Sequence, residues 1–214
     1  PNSQINSIGD SAFRGTSSLT SFTIPSTVTS IGANAFDSAS SLTSIEIPSG
    51  VTSIEFSAFF GASSLTSITI PSTVTSIGDY AFYGTSSLTP ITIPASVETI
   101  GESAFQGSNL TSITFEAGSK LNSIGEYAFY ETSFTSITIP ASVETIGARA
   151  FSNSGLINIT VSPSNSYFKD ITGVLFNKDG TTLIQYSISN TRSSYIIPES
   201  VTDISDNAFL NAIH

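Results

Sequence analysis

The sequence predicts a parallel β-solenoid, and three observations predict it. A string of the form Leu-x-x-Ile-x-Ile-Pro-x-x-Val-x-x-Ile-x-x-x-Ala-Phe, complete from Leu65 to Phe82, recurs along the whole chain. Its period is 23 residues over the first four units and slips by only one residue in each of the next two. Each unit carries one short alternating apolar run that proline ends. Such a run is too short to bury a core alone, so burial has to come from neighbouring turns of stacked chain.

Taken in order, the isoleucine that opens Ile-Gly-x-x-Ala-Phe falls at Ile8, Ile31, Ile54, Ile77, Ile100, Ile124, Ile146 and Ile204. The alternating runs place inward pairs from Phe22/Ile24 through Ile68/Ile70 and Ile91/Ile93 to Tyr195/Ile197, one parallel strand per unit. A second buried row follows from Phe13, Phe36, Phe59, Phe82, Phe105, Phe129, Phe151 and Phe209, which hold one repeat position, each after an alanine that leaves room for the neighbouring ring. Asp10, Asp79, Glu102, Glu126 and Asp206 precede the Ala-Phe pair, and Gly15, Gly61, Gly84 and Gly107 follow it. Acid before and glycine after are helix start and stop signals, so a one-turn helix or 3₁₀ segment is expected there, with the acids as caps rather than catalytic carboxylates or calcium ligands.

The rhythm breaks after Ile159, which lies 36 rather than 23 positions before Tyr195, 13 more than the period, and the stretch at about 162–194 reads as an insertion. Gly173-Val174-Leu175-Phe176 and Thr181 to Tyr186 flank a Lys178-Asp179-Gly180 turn, which reads as a β-hairpin that extends the sheet or, as the sharper alternative, protrudes toward a ligand. Both ends of the sequence fall within a repeat. The expectation is therefore a single solenoid over residues 1–214, part of a longer array with any export signal or anchor outside it.

Composition narrows the function. The formal net charge of −10 comes from scattered single acids, with only six Lys and Arg, which argues against nucleic acid or an anionic membrane as partner. With no Cys there is neither a disulfide framework nor a thiolate nucleophile, and no apolar run approaches the length of a membrane span. The only histidine is His214 at the end of the chain, and no Gly-x-Ser-x-Gly elbow or phosphate-cradling glycine loop is present. No enzyme, cofactor or metal site is expected.

The residues of the recurring string, together with the Gly173-Val174-Leu175-Phe176-Asn177-Lys178-Asp179-Gly180 stretch, make the chain resemble the BspA-like leucine-rich repeats. That resemblance implies a leucine-rich-repeat solenoid, right-handed, with short parallel strands on one concave face and short helical or irregular turns on the other. It also implies a secreted or surface-displayed protein associated with adhesion to host matrix proteins or other cells. The chain departs from many members in placing Gly, Ser or Glu after the Ala-Phe pair, where those members have Cys or Asn.

Strand alternation sends Thr23, Glu46, Thr69, Thr92, Thr114, Thr138, Thr160 and Ile196 outward, flanked by Ser21, Ser44, Ser67, Pro90, Ser112, Ser136 and Asn158. This hydroxyl-lined column is either plain solvated strand or a face for an extended polypeptide or glycan. On the second reading the candidate contacts are Glu46, Thr69, Thr92, Thr114, Thr138, Asn158, Thr160 and Ile196, with Glu46 and Ile196 foremost because they break the ladder. On the turn side, Phe60, Tyr80, Tyr83, Tyr127 and Tyr130 form a secondary candidate patch, with Phe60 and Tyr83 expected as neighbours in adjacent turns. The expected function is a surface-displayed or secreted binding module for a matrix protein, a cell-surface protein or a glycan. The alternative is a structural spacer without its own ligand.

Overall fold

A computed structural model describes residues 4–187, 189 and 192–212; His214 lies outside the described residues. The chain winds as a parallel solenoid with two ladders rather than one. In the first, Ser53–Ile54, Ser76–Ile77, Thr99–Ile100, Ser123–Ile124 and Thr145–Ile146 pair in register as a five-stranded sheet, and Ser7–Ile8 pairs with Ser30–Ile31 in the same way. These strands are two residues long, so they carry no alternation by which sequence could reveal them.

The second ladder is the expected one. Ser44–Glu46 pairs with Ser67–Thr69, Pro90–Ile93 with Ser112–Phe115, and Ser136–Ile139 with Asn158–Val161, all parallel. Ser21 joins it through a single bridge to Ser44. The inward pairs are buried in the middle of the array, as at Ile91, Ile93, Ile137 and Ile139. The last pair does not form. Residues 193–199 make no strand, and Ile197 is 41% exposed, because among the described residues no further turn of chain packs over it.

The expected helical turns are also replaced, since no helix occurs among the described residues. From Gly78 onward, the N–H groups of Ala81, Tyr83 and Thr85 bond back three residues to Gly78, Tyr80 and Phe82. The alternate N–H groups of Tyr80, Phe82 and Gly84 instead reach the carbonyls of Glu102, Ala104 and Gln106 in the next turn of the solenoid. A helix would use every N–H within its own segment; here half of them stitch one turn to the next, so that half is satisfied only by stacking. The geometry requires a left-handed residue before the Ala-Phe pair, as at Tyr80 and Tyr127, and often another after it, as at Gly84 with φ 66°. The acids serve the same stacking. Asp10 and Asp79 each accept from a backbone N–H in the following turn, that of Ala33 at 2.9 Å and that of Glu102 at 2.7 Å, instead of capping a helix of their own.

Hydroxyls add cross-links between turns. Thr43, Thr66 and Thr75 donate to the carbonyls of Thr20, Thr43 and Thr52 at 3.0–3.2 Å, and Thr73, Ser96 and Ser142 bond similarly to Val51, Val74 and Leu121. The Ser and Thr content of the chain is thus partly structural.

The phenylalanine row is continuous. Rings from Phe13 to Phe151 stack at centroid separations of 5.1–5.8 Å and within 10° of parallel. The glycine before it is fixed by close approach. A Cβ at Gly147 would press into the Glu126 nitrogen and lie 2.6 Å from the Gly125 carbonyl carbon, both backbone atoms of the previous turn. Gly147→Ala should therefore cost about 2–3 kcal/mol, read as a lower urea midpoint. Gly9→Ala, whose Cβ would meet nothing within 4 Å, should leave the midpoint almost unchanged.

The insertion is part of the core, not a protrusion. Three antiparallel strands, Phe168–Ile171, Val174–Asn177 and Thr182–Gln185, include the expected hairpin and add a strand before it. Val174, Leu175, Phe176 and Leu183 are fully buried. The last of the three strands then pairs in parallel with Asp203–Ile204, Leu183 opposite Ile204. Leu183 therefore opens a ninth turn, the eighth in order, that the sequence pattern conceals, and Tyr186 takes the spine position, stacked on Phe209 at 5.0 Å.

Asn165 makes the departure from the repeat possible. It occupies the position that Val143 holds one turn earlier, and it is 1% exposed. Its Nδ2 donates to the carbonyls of Pro140 and Val143 at 2.8 and 2.9 Å, while its Oδ1 accepts from the N–H groups of Tyr167 and Phe168 at 2.8 and 2.7 Å. One side chain thus closes four backbone groups where the chain leaves its regular path.

Candidate binding faces

The second ladder sets the geometry of the strand face. Register places Glu46 opposite Thr69, Thr92 opposite Thr114, Thr138 opposite Thr160, and Ser136 opposite Asn158. All of these side chains are exposed, and they alternate with the buried isoleucines, so one surface carries seven of the eight candidates. Ile196 stands apart. It is 89% exposed, but it sits on irregular chain at the end of the array rather than on a strand.

The face is not flat. A groove of about 700 Å³ runs over the first turns between Thr23, Ser26, Glu46 and Thr69, and another of about 350 Å³ lies between Thr69 and Thr92. A third, of about 540 Å³, separates Thr114 from Thr138. Glu116 lines both of the last two, and its carboxylate accepts from the Ala95 N–H at 3.1 Å. Sequence reasoning passed over this residue. It follows Phe115, which pairs with Ile93, so it holds the position of Pro94, and the signal was a carboxylate in place of the proline that ends most of the strands.

On the turn side, Phe60 and Tyr83 stack at 4.8 Å and 5°, as the repeat register requires. Phe56, 48% exposed, meets Tyr80 edge-on at 5.7 Å and extends this group beyond the residues the sequence singled out. The Tyr80 hydroxyl donates to Glu102 at 2.7 Å. That bond raises its pKa above the ordinary tyrosine value, with smaller contributions from burial and the nearby carboxylates. Tyr127 and Tyr130 form a separate pair, 5.5 Å apart and edge-on. Arg149 bonds the Tyr127 hydroxyl and covers its ring, and Asn153 donates to the Tyr130 hydroxyl at 2.6 Å. The turn side thus holds two half-buried aromatic groups, because the intervening turn at Ser103 to Gln106 contributes no aromatic side chain to join them other than the buried Phe105.

Among the described residues no cluster of His, Cys, Asp or Glu could hold a metal ion, and no helix is long and apolar enough to cross a membrane.

Comparison with known proteins gives a consistent picture. The BspA type leucine rich repeat region profile matches at residues 1–108, 53–173 and 109–214. A leucine rich cell surface protein from Faecalibacterium prausnitzii A2-165 is similar in structure, with a TM-score of 0.86 and 34% identity over 97% of this chain and 56% of that one. The pneumococcal vaccine antigen PcpA is similar with a TM-score of 0.81 and 32% identity over 96% of this chain and 55% of that one. A leucine-rich repeat protein from Eubacterium ventriosum, 24% identical over 80% of this chain and 46% of that one, shares the fold at a TM-score of 0.60. This chain spans little more than half the length of the first two. No curated protein matches it. With the repeat profile matching from end to end and the two-ladder solenoid superposing on solved repeat proteins, the chain belongs to the BspA-type leucine-rich repeat family.

Proposed function

We propose that this chain is a non-catalytic binding module, secreted or displayed on a cell surface, that takes an extended protein or glycan on its strand face. The observation that carries the proposal is the register of that face. Glu46, Thr69, Thr92, Thr114, Thr138, Asn158 and Thr160 form an exposed, nearly uncharged column broken by grooves, with Glu46 and Glu116 as its fixed charges. Weak, regularly spaced hydrogen-bonding groups suit a partner that runs along several turns and gains affinity from many small contacts. The similarity to a cell surface protein and to a vaccine antigen supports the location, and a shared fold leaves the partner to be found from the site.

A spacer role is the second reading, and the hydroxyl cross-links between turns favour it, since they stiffen the array whether or not anything binds. Screening the chain against matrix proteins and glycan arrays separates the two. Saturable binding that falls at least about tenfold, near the 1.4 kcal/mol of one lost contact, in Glu46→Ala supports the strand face. Ile196→Ser, tested beside it, reports whether the partner reaches the end of the array. Binding that survives both changes and is lost in Tyr83→Ala moves the site to the turn side. Absence of any saturable partner leaves the spacer.

A further inference from the structure

The turn that begins at Leu183 is short. Every regular turn has four residues between the opening aliphatic and the spine ring, as from Ile77 to Phe82, whereas between Leu183 and Tyr186 there are two. The missing residues are those whose carbonyls would receive the stitching hydrogen bonds of the turn before.

The consequence is visible in the backbone. In each of the first six turns, three alternate N–H groups donate to the next turn, the last of these sets being Tyr127, Phe129 and Glu131 to Ala148, Ala150 and Ser152. In the seventh turn the corresponding N–H groups of Arg149, Phe151 and Asn153 have no acceptor among the described residues. On the far side of the gap, the Asp206 carbonyl stands where Glu102 and Glu126 accept from Tyr80 and Ser103, and it too has no donor among the described residues. Between these walls lies a notch of about 310 Å³, with Arg149 and Asp206 at its sides and Phe151, Leu175, Ile184 and Gln185 lining it. Asn211 bonds Asn153 across one end, leaving the unbonded Arg149 and Phe151 N–H groups along the notch, the second at its floor on a residue 2% exposed.

We propose that this notch is a second binding site, which accepts a short extended segment of a partner polypeptide in place of the missing main chain. The segment's carbonyls would accept from the Arg149 and Phe151 N–H groups, and one of its own N–H groups would donate to the Asp206 carbonyl. This is strand addition at a single interrupted position, with main-chain bonds supplying affinity. A glycan offers no repeating carbonyl and amide at this spacing, so the partner is a peptide. The Asp206 carboxylate favours a segment carrying a basic side chain, since the Arg149 guanidinium is held on Tyr127. The site is on the turn side and does not depend on the strand-face reading.

Two measurements test it. In the free chain, amide hydrogens of Arg149 and Phe151 should exchange at least about 100-fold faster than those of Tyr127 and Phe129, which are bonded to the next turn. Equal protection would mean the notch is closed and would overturn the proposal. Second, a library of random linear heptapeptides is selected against the chain. Enriched peptides should protect the Arg149 and Phe151 amides, bind Glu46→Ala as they bind the natural chain, and lose at least tenfold in affinity when a backbone amide is replaced by an ester, a cost of about 1.4 kcal/mol.

Two variants should abolish that binding while melting cooperatively: Ser205→Trp, which fills the notch, and insertion of Asn-Ala between Gln185 and Tyr186. The insertion restores the regular spacing, so that Arg149 meets the Gln185 carbonyl and Phe151 meets that of the inserted alanine. Peptides that bind either folded variant unchanged, or no enrichment over the insertion variant, would overturn the assignment.

Discussion

Asn165→Val should be among the most damaging single changes in this chain, although valine is the residue at the same repeat position in Val28, Val51, Val74, Val97 and Val143. Those valines are fully buried in regular turns. At Asn165 the chain instead bends away into the insertion, and the side-chain amide closes the Pro140 and Val143 carbonyls and the Tyr167 and Phe168 N–H groups. Valine fits the volume but leaves those four groups without their partner. At about 1–3 kcal/mol for each of the two fully buried groups, the Val143 carbonyl and the Phe168 N–H, and less for the part-buried Tyr167 N–H and the Pro140 carbonyl, which keeps the Val143 N–H, the loss should total about 4 kcal/mol. Urea unfolding followed by circular dichroism measures it. A stability within about 0.5 kcal/mol of the natural chain, the scatter of ordinary surface substitutions, would show that the bend is held by something other than this side chain.

Phe105→Ala is the second. Phe105 is fully buried and stacks on Phe82 at 5.1 Å and on Phe129 at 5.4 Å, so truncation opens a cavity with a ring on each side. The expected cost is about 3–5 kcal/mol. Because each turn contacts only its neighbours, the weakened junction should also divide the array, and the urea dependence should become shallower or biphasic as the two sides unfold separately. Phe13→Ala, at the half-buried end of the same row, should cost much less and leave a single transition. Equal costs at the two positions would mean that stacking along the row contributes little and that burial within each turn decides.

The strand-face column and the phenylalanine row are legible in the amino-acid sequence for one reason. A solenoid translates sequence period directly into spatial adjacency, so equivalent positions in successive units are neighbours. The pairing of Thr138 with Thr160, or of Phe60 with Tyr83, follows from counting. Residues that depend on a departure from the period are not legible in this way. Glu116 reaches the face by replacing the proline that ends most of the strands, and Phe56 joins Tyr80 across turns that the aromatic spacing alone does not connect.

The sequence by itself therefore determined the family, the parallel stacking, the buried rows and the exposed column. Tertiary structure decided three things beyond that. It replaced the expected helical turns with left-handed turns, because an N–H can be satisfied by the neighbouring turn as readily as by its own, and local start and stop signals do not distinguish the two. It added the short Ser-Ile ladder, whose two-residue strands exist only by virtue of their neighbours. It also made the insertion a turn of the solenoid with a notch in it. Leu183 and Tyr186 lack the Gly and Ala-Phe signature, and only pairing with Asp203–Ile204 and the stack on Phe209 show which positions they fill.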